Sequence, residues 1–87
     1  MNFWLNLIKE EFLIVTIAFL KKYYTAFLMN GISEAGLIMA FRTYFKASVN
    51  EGVIRKFDII PNFPSPGEFE ISFDYGDGII DKLRLTK

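Results

Sequence analysis

Residues 1–30 contain neither proline nor glycine, and no proline occurs before Pro61. A chain that withholds both breakers over so long a stretch is suited to one continuous helix. The pattern predicts a helix over residues 3–29. Asn30-Gly31 is its stop, because both residues tolerate the left-handed conformation that ends helices. One run opposes this reading. Ile14, Val15 and Ile17, with Thr16, are β-branched, lose side-chain freedom in a helix and favour a strand. A strand there would bend the chain near Glu11 and Lys21 and add a fourth member to the sheet. At 100° per residue, Asn2, Asn6, Lys9, Glu10, Lys21 and Tyr24 share one polar side, interrupted by Leu13, Ile17 and Leu20. The middle, residues 12–20, is apolar on every side.

Beyond Gly31 the character changes twice. Ser33 is placed to cap a second helix, with Glu34 favourable near its positive end. Leu37, Ile38, Phe41, Tyr44, Phe45 and Ser48-Val49 follow helical spacing, and Gly52 ends it. Gly36, Ala40, Thr43 and Ala47 form a small-residue stripe that lets the first helix come close. Residues 53–60 read as a strand stopped by Pro61, and residues 62–67, with Pro64 and Pro66, as a loop. Phe69, Ile71, Phe73 and Tyr75 then alternate with Glu68, Glu70, Ser72 and Asp74, a strand with one buried and one wet face. Leu83 and Leu85 alternate likewise with Lys82, Arg84 and Thr86.

The turn between these last strands sets their register. A three-residue loop Gly76-Asp77-Gly78 puts Gly78 where a left-handed conformation is needed. Tyr75 then faces Ile79, Ile71 faces Leu83 and Phe69 faces Leu85. On the other face Glu70 meets Arg84 and Ser72 meets Lys82. A two-residue loop would set apolar against charged positions throughout. Helices first and strands later is the order of an α+β domain. The expected architecture is ααβββ: two N-terminal helices packed on a three-stranded antiparallel sheet. It forms a single domain over residues 1–87, helical in 1–52 and β in 53–87.

Composition narrows function mainly by exclusion. The 87 residues include no Cys and no His, which removes disulfides, thiolate metal sites and the commonest general base. Ten Lys and Arg balance ten Asp and Glu, so no electrostatic footprint for a nucleic acid exists. Lys21-Lys22-Tyr23-Tyr24 mixes base and aromatic, but two lysines on one helix make no binding groove. The apolar run 12–20 follows Lys9, Glu10 and Glu11 and precedes Lys21 and Lys22, so it lacks the flanks of an export signal. It also falls well short of the roughly 20 residues that span a bilayer. No membrane association is expected, and the absence of Cys suits a reducing cytoplasm.

Two short resemblances attach to the turn. Gly76-Asp77-Gly78-Ile79-Ile80-Asp81 resembles the middle of an EF-hand or dockerin calcium loop. Aligned on Asp77-Gly78, however, the first loop position is Phe73, the third is Tyr75, and Arg84 stands where the bidentate acid belongs. Phe73-Asp74-Tyr75-Gly76-Asp77-Gly78 is similar to the signature of polycystic-kidney-disease-type sandwich domains, over six residues of 87. That family is all-β, whereas the first half here is helical. No metal or other cofactor is expected.

Residues 58–81 hold Asp58, Glu68, Glu70, Asp74, Asp77 and Asp81 and no base. The sequence thus supports a non-enzymatic protein-interaction module that self-associates, most simply as a two-fold dimer. A helix of 3–29 is about 40 Å long at 1.5 Å per residue, against a diameter near 30 Å for a compact domain of this size. Its apolar middle therefore exceeds what one small sheet and one helix can cover. Leu13, Ile17 and Leu20, which interrupt the polar side, are the expected contact. One alternative is an inhibitor or immunity-type protein presenting Glu68, Glu70 and Asp74 to a basic partner. Another is a carrier of an apolar ligand or lipid between helix and sheet.

Overall fold

The β-branched run at 14–17 is helical. The computed structural model describes residues 2–87, with side chains from Ile8 onwards, and its first helix, α1, runs unbroken over Asn2–Leu28. Packing overrides propensity here: Thr16 is fully buried and its hydroxyl lies 2.7 Å from that of Tyr44 on the second helix. The helix is also as long as the molecule. Its 27 residues correspond to about 40 Å, and the principal extents are 44 × 21 × 19 Å.

Both helices end in the same hydrogen-bonded cap. At the end of α1 the N–H of Asn30 donates to Phe27 O (3.0 Å) and that of Gly31 to Ala26 O (2.7 Å), with Asn30 at φ 61. This is the Schellman arrangement, with asparagine as its left-handed residue. The second helix, α2 (Glu34–Asn50), opens on Ser33, whose hydroxyl accepts from the N–H of Gly36 at 3.1 Å. It closes with Gly52 N–H to Val49 O and Val53 N–H to Ser48 O, both 3.0 Å, around Gly52 at φ 77. Val53 is therefore part of the helix cap. The first strand, β1, begins at Lys56, later than the expected 53, and runs through Pro61.

The sheet has the order β1-β2-β3, with β2 (Phe69–Asp74) central and β3 (Ile80–Leu85) at the far edge. All pairings are antiparallel. The hairpin register matches expectation: Phe69 pairs with Leu85, Glu70 with Arg84, Ile71 with Leu83 and Ser72 with Lys82. Tyr75 N–H donates to Ile79 O at 3.2 Å, and Gly78 sits at φ 86. Replacing Gly78 by Val should destabilise the protein by about 1–2 kcal/mol. The site is open, with no atom within 4 Å of an added Cβ, so the cost is purely that of a β-branched residue at positive φ. Thermal unfolding checks it; an unchanged midpoint would contradict the turn geometry.

The fold is α+β, as expected, with both helices on one face of the sheet. Phe57 and Ile59 of β1, Phe69, Ile71 and Phe73 of β2, and Leu83 and Leu85 of β3 form the inner face. Leu37, Phe41 and Phe45 of α2 and Leu20 and Tyr24 of α1 pack on it.

Candidate functional site

The acidic residues of the sheet do not form a free acidic face. The register sets three cross-strand rows on the outer side: Lys56-Asp74-Ile80, Asp58-Ser72-Lys82 and Ile60-Glu70-Arg84. Each row carries one acid and one base. Glu70, expected on a wet face, is buried, with its carboxylate accepting from Arg84 Nε at 3.2 Å. Asp74 accepts from the N–H of Gly76 at 2.7 Å, and Glu68 from the N–H of Lys87 at 3.1 Å. The sequence counted acids between 58 and 81, but the bases that answer them lie just outside that window.

The facing of α1 also differs from expectation. Leu20 is 1% exposed within the chain's own core, and Leu13 packs against that core. Ile17 is half-buried. The side on which these three lie is therefore the inner side, and Leu20 is withdrawn from any contact with a second copy. Two of its polar members turn inward with partners, while Glu10 and Lys21 stay exposed: Tyr24 donates to Gly67 O at 2.7 Å, and Lys9 forms an ion pair with Asp77. The exposed apolar residues lie elsewhere on the helix. Ile14 is 69% and Val15 53% exposed.

Between the two helices runs an open groove of about 590 Å³. Its α1 side is Phe12, Phe19 and Tyr23, and its α2 side is Ala40, Thr43, Tyr44 and Ala47. The helices meet through rings: Phe19 stacks on Tyr44 with centroids 4.4 Å apart, and Phe12 lies near-parallel to Tyr44 at 6.2 Å. Beside these stacked rings, Ala40, Thr43 and Ala47 of the small-residue stripe wall a groove where a close helix crossing was expected, and Gly36 lies outside it. Ala40→Phe consequently has room to fill, and should cost less than about 1 kcal/mol. A loss of several kcal/mol in urea titration would show that the groove is closed in solution.

Comparison with protein-family models, curated proteins and solved structures finds no match.

A polar cluster closes the end of the core beneath the first half of α1. The Tyr75 hydroxyl donates to Asp81 Oδ2 at 2.8 Å, and Lys9 Nζ stands 5.1 Å from the centre of the Tyr75 ring. Asp81 falls opposite Phe73, an inner-face position, which Tyr75 makes tolerable. Burial, and then the Asp81 carboxylate, push the Tyr75 hydroxyl far above its ordinary value of 10.0. Burial, with Glu68 nearby, raises Tyr24 as well. The hydrogen bond from Lys9 lowers Asp77. For both tyrosines the folded state holds a proton that the unfolded chain gives up first. Their contribution to stability is complete below about pH 10 and is lost as pH rises through the folded values. Stability should therefore fall at alkaline pH, and less steeply in Tyr75→Phe; parallel limbs for the two proteins would contradict this.

Among the described residues no group of three Asp, Glu, His or Cys is placed to hold a metal ion. No described helix is long and apolar enough to cross a membrane. Exposed apolar side chains stand on the helical layer, at Ile14, Val15 and Met39, and on the charge-balanced sheet layer, at Ile60, Phe63, Ile79 and Ile80.

Proposed function

We propose that this chain is a non-enzymatic protein-interaction module that self-associates through its helical layer. The observation that carries the reading is the exposure of Ile14 and Val15 at the middle of the longest element, on the side of α1 turned away from the core. β-branched residues there add nothing to helix propensity or solubility. Covering them with a second copy gives them a role, and two-fold pairing is the commonest way to supply one. The chain lacks Cys throughout, which supports a cytoplasmic setting.

Light scattering at micromolar concentration should give about twice the 10.1 kDa chain mass. Val15→Glu should give a folded monomer, since Val15 is 53% exposed on the side of α1 away from the core. Leu13→Glu should instead unfold the protein. A wild-type mass of one chain would overturn the proposal.

A second reading rests on the groove. Its volume falls within the roughly 300–1,000 Å³ of small-molecule sites, and its walls are largely apolar. A carrier of an apolar ligand or lipid would retain it through purification. Native mass spectrometry would then show the added mass, and Ala40→Phe would abolish it. An inhibitor with an acidic sheet face finds less support, because each outer row is charge-balanced.

A further inference from the structure

We infer that self-association is an antiparallel pairing of α1 with the α1 of a second copy, in a register that sets Glu11 beside the partner's Lys22 and Val15 beside the partner's Ala18. The inference rests on the self-association proposed above and specifies its geometry.

The argument starts from the face of α1 opposite Thr16, Leu20 and Tyr24, all three buried. Six exposed residues run along that opposite face: Ile8, Glu11, Val15, Ala18, Lys22 and Thr25. Their spacing alternates three and four, so they line up in one lengthwise stripe, apolar at Ile8, Val15 and Ala18 and charged at Glu11 and Lys22. The seam is also palindromic in chemistry. Read from either end, it sets Ile8 against Thr25, Glu11 against Lys22, and Val15 against Ala18. An antiparallel two-fold axis beside the Val15–Ala18 step therefore places a pair of opposite charges on each side of a centre of small apolar side chains. Ala18 leaves room for Val15, and Ile14 flanks the same seam.

Charge selects this arrangement over its competitors. Parallel pairing puts Glu11 on Glu11 and Lys22 on Lys22. An antiparallel slip of seven residues separates both ion pairs. Within its own chain neither Glu11 nor Lys22 has an opposite charge three or four residues away, so each is free to serve a partner. A partner inserting its helix into the interhelical groove would instead leave these two residues without a role.

Charge reversal tests the register. Glu11→Lys and Lys22→Glu should each weaken the dimer about tenfold in sedimentation equilibrium, because each turns two attractive contacts into two repulsive ones. The double variant should recover wild-type affinity to within about twofold. The chain has no Cys, so single cysteines give a second readout. A short bismaleimide should join Val15→Cys chains to Ala18→Cys chains in a mixture more readily than it joins either to itself. Dimers indifferent to reversal, or cross-linked equally in all combinations, would overturn this pairing while self-association stands. A wild-type chain that sediments as a monomer would overturn both.

Discussion

Truncating Phe45 to alanine should lower the unfolding free energy by about 3–5 kcal/mol. The ring is completely buried and stacks between two strands, with centroids 5.5 Å from Phe57 of β1 and 5.6 Å from Phe73 of β2. It also meets Tyr44 edge-on at 5.2 Å, and Tyr44 is the ring through which α1 is held. Removing it leaves a cavity at the meeting point of α2, β1 and β2, and loosens the support for α1. The scale matters because the domain is small. At roughly 0.05–0.15 kcal/mol per residue, a chain of this length has about 4–13 kcal/mol in total. The loss would consume a large part of that, and at the low end the variant would not fold. Urea titration decides it: a cost below about 1 kcal/mol would mean that Phe45 is not the anchor of the helix–sheet contact.

The contrast with Val15 separates two kinds of apolar residue on one scaffold. Phe45 and Val15 both sit mid-helix, but only Phe45 has the sheet beneath it. A core substitution changes stability at any concentration. A change on the outer seam of α1 changes mass, and changes apparent stability only where the dimer is populated.

How far the sequence discloses this structure depends on how local the deciding interactions are. The β2–β3 hairpin is legible because turn length, apolar alternation and charge pairing act within seventeen residues, from Phe69 to Leu85, and all agree. The cap at Ser33 is legible for the same reason. The facing of α1 is not. Polar residues on its inner side find partners 28 to 68 residues away: Lys9 meets Asp77, Thr16 meets Tyr44 and Tyr24 meets Gly67. Leu13 and Leu20, read as interruptions of a wet side, were the true marker of the core. The groove escaped for a related reason. Gly36, Ala40, Thr43 and Ala47 state that something comes close, but Ala40, Thr43 and Ala47 wall the groove beside the stacked rings of Phe19 and Tyr44.

Glu70 is the other place where distant residues reverse a local reading, and it leads to the second large effect. Replacing Arg84 by alanine should destabilise the protein by about 2–3 kcal/mol. Glu70 lies on the central strand with Ile60 beside it in the same row, and its side chain is only 9% exposed. Arg84 supplies its counter-charge at 3.2 Å and extends over the Phe63 ring, 5.7 Å from its centre. Without Arg84 a carboxylate remains among apolar neighbours with no cation. Breaking a sealed pair costs about 3–5 kcal/mol. Here Arg84 is itself 55% exposed, so water enters as it leaves and the penalty is smaller. The reverse change is milder. Glu70→Leu leaves an arginine that can turn to solvent, and should cost less than about 1 kcal/mol. The double variant, with leucine at both positions, extends the apolar row begun by Ile60 and should lie close to wild type. Urea titration of Arg84→Leu, Glu70→Leu and the double variant closes a cycle whose coupling should favour the native pair or the leucine pair over either mixture. Equal costs for Arg84→Ala and Glu70→Leu would show that Glu70 is already solvated, and that the outer face is as wet as its alternating sequence suggests.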